Sequence, residues 1–349
     1  MSTLGAAAPR AAEHCFVVPA LDGPITGGTL YNRELLAALR AYASTSLRSL
    51  EPSAPELGEV LDAASSVWVD SLYLEQLPEL KRRTAARLGL ILHYLPSFVD
   101  LGRAGTMAEL SRVERRALLC ADAFLVTSAF MRNALEELEV PNKKTLLVLE
   151  PGTHATLSAS RPAARAELRV VLVGNVVPGK GIEPFLRALE SLLDAGDRVR
   201  VSIVGSLSPD PDYAEGCRRL VSRSRVLAER VVFFGGLSQP ATLAQLARSD
   251  LFVSASRMES FGMALYEARV VGVPILARSG GNAAEHVDPE AGGQLVASDD
   301  ELARACLALA RQPALYAERA ACARARAPLA RSWQSAALEF VTQIAEWEK

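Results

Sequence analysis

Scarcity narrows the field before any motif does. Aromatic residues make up only 6% of the 349, charged residues 22%, and cysteine occurs five times. So few aromatics show no stacking pattern for bases, and 38 Lys plus Arg against 40 Asp plus Glu leave a formal net charge of −2. No global field draws such a chain to nucleic acid, which is not expected as a partner. Cys15, Cys120, Cys217, Cys306 and Cys322 show no CxxC or other metal-ligand spacing, and their odd number argues against a closed disulfide framework. No apolar run reaches the roughly 18 residues of a membrane span, and the start MSTLGAAAPRAAEH lacks the continuous apolar stretch of a signal peptide. A reducing cytoplasm is the expected location, with at most peripheral contact to a membrane. No GxGxxG follows the first strand of either half, so a nicotinamide enzyme is not expected.

What is present is regular. Hydrophobic residues make up 50% of the chain, enough for about two domains of roughly 150 residues to bury a core each. Short apolar runs alternate with helical patterns at CFVVPAL (15–21), SVWVD (66–70), LGLILHYL (88–95), AFLVTS (123–128) and TLLVLE (145–150). A second series follows at LRVVLVG (168–174), VRVSIVG (199–205), RVVFFGG (230–236), LFVSAS (251–256) and VPILARS (273–279). Continuous apolar strands separated by helices predict α/β architecture, with two Rossmann-like, doubly wound parallel sheets. The Ala-, Ser- and Pro-rich stretch 151–167 reads as the connection between them. The expected division is a first domain over 1–155, of which 1–12 are read as flexible, and a second over 156–330. An amphipathic helix over 331–349 is expected to pack back on the first domain.

Three stretches invite chemistry. Gly174 to Gly181 joins a strand to a helical pattern with glycines and Lys180, an arrangement that suits phosphate. Gly181 stands where a Walker A loop needs Ser or Thr, so a nucleoside triphosphatase is not expected. Asp210 and Asp212 flank Pro211 and read either as a solvated turn or as a cation chelate. In SRMESFGMALYEA (256–268), Glu259 precedes a helix start and Glu267 lies inside it, so two carboxylates bracket backbone N–H groups of Gly262 and Met263. A plainer reading makes Ser260 an N-cap and Glu267 a surface residue. A glycosidase fits poorly, because both acids sit on one segment and cannot flank a bond from opposite sides.

The pattern Glu259-x7-Glu267, preceded by Lys180-Gly181 and followed by Gly280-Gly281-Asn282 and Glu285, resembles the retaining glycosyltransferases of family 4, which have the GT-B fold. The resemblance extends to Gly27-Gly28 and Asn32 after the first strand and to His93 after a later one. It implies two Rossmann-like domains facing a central cleft, and transfer of a sugar from a nucleoside diphosphate. It implies that Glu267 holds the ribose hydroxyls, that Glu259 and His93 reach the transferred sugar, and that Ser260, Phe261, Gly262 and Met263 line the donor. Lys180 would neutralise the diphosphate, the Gly27-Gly28 loop would close over it, and Leu237 would border the base. Asn175 departs from the resemblance, standing where many relatives carry an arginine that pairs with the diphosphate; an amide donates hydrogen bonds but carries no charge.

The donor is therefore expected to be a UDP- or GDP-sugar, with no cofactor and no metal, since Lys180 and a helix start supply positive potential at the diphosphate. A catalytically degenerate nucleotide-sugar binder and a GT-B sugar-nucleotide epimerase are the alternatives. Asn282 and Glu285 read equally as a capping box or as ligand contacts, and His93 as a buried histidine or a sugar contact. Residues 81–116 hold Lys81, Arg82, Arg83, Arg87, Arg103, Arg112, Arg115 and Arg116 against Asp100, Glu109 and Glu114. That local excess points either to a solvated helix surface or to an anionic or lipid-linked acceptor.

Overall fold

The structure, a computed structural model, describes residues 13–22, 25–49, 64–140, 145–158 and 167–347. The expected flexibility of residues 1–12 falls outside them, as do 159–166 of the connecting stretch and 348–349 of the last helix.

The first sheet comprises β1 (Glu13–Val18), β2 (Ser44–Ser49), β3 (Ser66–Asp70), β4 (Arg87–Leu92), β5 (Ala123–Val126) and β6 (Thr145–Val148). The second comprises β7 (Leu168–Val173), β8 (Val199–Val204), β9 (Val231–Gly235), β10 (Leu251–Ser254), β11 (Ile275–Arg278) and β12 (Gln294–Val296). The strand orders are β2-β1-β3-β4-β5-β6 and β12-β11-β10-β7-β8-β9, and every paired neighbour runs parallel. The two doubly wound sheets expected from the sequence are thus present. Strands such as β3 and β10 are buried along their whole length, which is why they read as unbroken apolar runs.

The sequence reading did not include β2 and β12, the outer strand of each sheet. The residues of β2, STSLRS, are largely polar and exposed, and β12 has three residues. An edge strand pairs on one side only and needs no apolar run to stay in place.

Both sheets change direction at a switch point, between β1 and β3 in one and between β7 and β10 in the other. Open parallel sheets bind ligands outside the carboxyl ends of the strands at such points. Two contacts hold those ends toward each other. Met258, from the loop after β10, is buried in the core formed by β3, β4 and β5, and Ser128 Oγ, after β5, donates to the carbonyl of Ser260.

The closing helix, Trp333–Trp347, buries Trp333, Ala336, Ala337, Phe340 and Ile344, the stripe that a period of 3.6 residues produces. These side chains join the core of the first sheet rather than the second. The Phe340 ring lies 5.6 Å from Phe16 and 5.7 Å from Trp68, and the Arg87 guanidinium stands 5.4 Å over the Trp347 ring. Phe340→Ala should lower the unfolding free energy by about 3–5 kcal/mol. Leu338→Ala, on the solvent side of the same helix and 54% exposed, should change it by about 0.5 kcal/mol or less. Denaturant titration of the two variants checks the contrast.

Candidate active site

The carboxyl ends of the two sheets open on one cavity of about 850 Å³. Gly27, Gly28, His93, Asn175, Lys180, Leu237, Glu259, Ser260, Phe261, Gly262, Met263 and Glu267 all line it, although they come from segments up to 240 positions apart. The structure therefore brings these twelve residues together, whereas Asn32, Asn282 and Glu285 do not line the cavity.

On the second sheet the turn after β7 places Lys180 so that its Nζ lies 2.8 Å from Glu259 Oε1. The side chains are 33% and 14% exposed, so the pair is partly shielded and still open to the cavity. Glu259 is held by its backbone as well. It forms an isolated parallel bridge with Gly281, and the N–H of Asn282 donates to its carbonyl at 2.6 Å. Two glycines make this approach feasible: a Cβ on Gly280 would stand 2.1 Å from the Arg257 carbonyl, and one on Gly281 would stand 2.2 Å from that of Glu259. The capping box proposed for Asn282 and Glu285 does not form. Asn282 makes no side-chain cap to the four-residue helix Ala283–His286; its Nδ2 donates instead to the Phe261 carbonyl at 2.9 Å.

The helix after Glu259 runs Met263–Val271, and its N-cap is Gly262 with φ +90°. Ser260 is therefore not the cap, because the left-handed turn lies two residues further on and favours glycine. Glu267 is not a surface residue either: it is 4% exposed. Burial pushes its carboxyl up to about 7 despite a hydrogen bond from Gln239. Gln239 opens the helix Gln239–Arg248 beyond β9 and was not singled out in the sequence, where it is one polar residue beside a proline. The only sign was its place at the helix start that follows β9.

Across the cavity, Gly27 and Gly28 lie in the first turn of the helix Gly27–Leu39 rather than in a loop. Thr26 and Thr29 close a capping box there, which starts the helix immediately before the glycines. A Cβ on Gly28 would come within 2.9 Å of His93 Cδ2, so the glycine leaves room for the imidazole. His93 Nε2 lies 3.1 Å from Asn32 Oδ1 and 3.2 Å from Asp70 Oδ2. Both partners accept, so Nε2 carries the hydrogen and Nδ1 is the atom left for another group. Asp70 is 1% exposed; burial raises its carboxyl, but His93, the Leu72 N–H and the Asn32 amide outweigh that and hold it below the usual range. Asp70 went unnoticed in the sequence, where its one sign was a carboxylate directly after the apolar run Val67 to Val69.

Asn175 turns its Oδ1 to the N–H of Ser206 at 3.1 Å, so the amino end of the amide is the part left for a ligand. Asp210 caps the helix Pro211–Arg223 by accepting from the Tyr213 N–H, which accounts for the Asp210-Asp212 turn without a cation. Among the described residues no three His, Cys, Asp or Glu side chains are placed to share a metal ion, and no helix is long and apolar enough to cross a membrane. The basic stretch is largely paired. Lys81 meets Asp122, Arg82 and Arg83 meet Glu79, Arg103 meets Glu109, and Arg115 donates to backbone carbonyls. Arg112 and Arg116 are exposed and make no ion pair among the described residues.

Comparison with known proteins agrees with this geometry. Residues 167–312 match the family model described as glycosyl transferases group 1. The chain is 32% identical over 169 residues to a GDP-mannose-dependent alpha-(1-6)-phosphatidylinositol monomannoside mannosyltransferase of Mycobacterium tuberculosis, covering 44% of this chain and 43% of that protein. It is 32% identical over 195 residues to a D-inositol 3-phosphate glycosyltransferase of Nocardia farcinica, covering 52% and 43%. The matches thus span less than half the length of these relatives. Among solved structures, sucrose-phosphate synthase from Thermosynechococcus elongatus superposes with a TM-score of 0.76 at 20% identity, over 96% of this chain and 99% of that one. Anabaena HepE, solved in complex with UDP and glucose, gives a TM-score of 0.72 at 16% identity, over 96% and 100%. These likenesses establish the fold as GT-B, as the resemblance implied.

The buried carboxyl of Glu267 makes stability depend on pH. In the folded chain it keeps its proton up to about pH 7, whereas an ordinary glutamate loses it near 4.5. The folded state therefore loses stability as pH rises through that window. Glu267→Gln removes the charge and should raise the thermal midpoint above pH 7 while leaving it nearly unchanged near pH 4.5. Thermal unfolding followed at both pH values checks the sign.

Proposed function

We propose that the chain is a nucleotide-sugar-dependent glycosyltransferase of family 4, acting with retention of configuration and without a metal ion. The observation that carries this reading is the single cavity in which Lys180, Glu259, the start of helix Met263–Val271 and Glu267 face His93 across the cleft.

Each group has a task that its chemistry suits. Lys180 and the first N–H groups of the helix supply positive potential where a diphosphate departs. The diphosphate would share the Lys180 ammonium with Glu259, which then remains beside the sugar. Glu267, as a carboxylate, accepts both hydroxyl protons of a ribose diol, and burial strengthens such bonds. His93, held by Asp70 and Asn32, presents Nδ1 to the sugar from the other domain. In the transfer itself, the bond from the anomeric carbon to the phosphate oxygen breaks as the acceptor oxygen bonds on the same face. The acceptor proton passes to the departing phosphate oxygen, and no side chain is assigned as nucleophile. Positioning and electrostatics in a site screened from water carry the catalysis.

The relatives' names carry GDP-mannose, phosphatidylinositol monomannoside and inositol 3-phosphate, and HepE was solved with UDP. These support a UDP- or GDP-sugar donor and an anionic, lipid-linked acceptor approaching the exposed Arg112 and Arg116. Asn175 favours one second reading, a binder that has lost turnover, because a neutral amide replaces the charge that would stabilise the leaving group.

Incubation with UDP- and GDP-sugars plus phosphoinositol-containing acceptors, with nucleoside diphosphate release as the readout, separates these readings. Turnover should survive EDTA and fall about 100-fold or more in Lys180→Ala and in Glu267→Ala. Donor binding without turnover on any acceptor would support the binder, and isomerised donor without acceptor would support an epimerase.

A further inference from the structure

The helix start that faces the proposed diphosphate is aimed by two side chains outside the cavity. The peptide joining Phe261 to Gly262 is planar and trans, so its carbonyl and its N–H point in opposite directions. The carbonyl accepts from Asn282 Nδ2 at 2.9 Å and from His286 Nε2 at 2.7 Å. Both donors are buried, at 6% and 4% exposure, and neither lines the cavity, whereas Phe261, Gly262 and Met263 do. With its oxygen gripped from inside the protein, the peptide turns its N–H toward the cavity. No acceptor for that N–H occurs among the described residues.

The local chemistry is consistent with this orientation. His286 Nε2 faces a carbonyl and therefore carries the ring hydrogen, and Asn282 Nδ2 approaches the same nitrogen only to 3.5 Å, too far to compete. The imidazole is fixed between the rings of Phe261 at 4.8 Å and Tyr266 at 5.8 Å, and its Nδ1 is buried without a partner. Burial pushes His286 down to about 4, so the ring stays neutral and keeps one hydrogen to donate. A rotated peptide would present an oxygen to the cavity, where an anion is repelled and the helix dipole is opposed.

We propose that Asn282 and His286 are positioning residues that set the peptide between Phe261 and Gly262 so that the Gly262 N–H receives the donor diphosphate. This rests on the reading of the cavity as a nucleotide-sugar site and adds to it the residues that orient its backbone donor.

The test is calorimetric binding of UDP and GDP, compared with uridine and guanosine, to the wild-type chain and three variants. His286→Leu and Asn282→Ala should each weaken diphosphate binding about tenfold, or about 1.4 kcal/mol, while nucleoside binding holds. His286→Gln, which keeps a donor, should retain most of the diphosphate affinity. A wild-type chain that binds no nucleoside diphosphate would overturn the nucleotide-sugar reading and this proposal with it. Wild-type binding that His286→Leu and Asn282→Ala both leave unchanged, or an equal loss for nucleoside and diphosphate, would overturn the proposal alone. Should the leucine variant fail to fold, Asn282→Ala carries the same comparison. The Gly262 amide resonance of the wild-type chain should also move downfield when UDP or GDP is added, and an unmoved resonance counts against the proposal.

Discussion

The pairing of residues 256–261 with residues 280–282 is the contact on which the cleft depends. Neither segment is a strand or a helix, yet the bridge between Glu259 and Gly281 and the bond from the Asn282 N–H fix the carboxylate that meets Lys180. Buried backbone groups must find partners, and here they find them between two loops at adjacent strand ends. Met258 and Ser260 tie the same segment to the first domain. One loop thereby couples the position of the sugar-facing carboxylate to the approach of the two domains.

The polar groups of the cleft are arranged unequally. Asp70 is buried but surrounded by donors, so it remains charged and orients His93. Glu267 is buried with one neutral donor and is pushed toward neutrality. The same type of side chain thus meets two environments, with hydrogen bonding deciding the first and desolvation the second. A site that keeps a carboxyl under-partnered sacrifices stability, and a ligand that brings hydroxyl donors restores it.

Much of the architecture was legible because fully buried parallel strands leave an unmistakable apolar signature, as SVWVD and LFVSAS show. The polar edge strand STSLRS left none, since exposure removes the requirement for apolar residues. Lys180, Glu259 and Glu267 stood out through glycines and acids grouped near helix starts. Asp70, Gln239 and His286 did not, because each acts on a partner between 23 and 38 positions away. A single polar residue in an apolar context carries no local mark of the group it will meet.

By itself the chain determined two parallel sheets, the order of their strands' apolar runs, and the places where glycine, lysine and carboxylate interrupt them, since burial and backbone freedom act within a few residues. The tertiary structure decided which interruptions share a cavity and that Asn282 grips a carbonyl instead of capping a turn. Those outcomes depend on how distant segments satisfy one another's hydrogen bonds, and no local pattern encodes a partner that folding alone brings within reach.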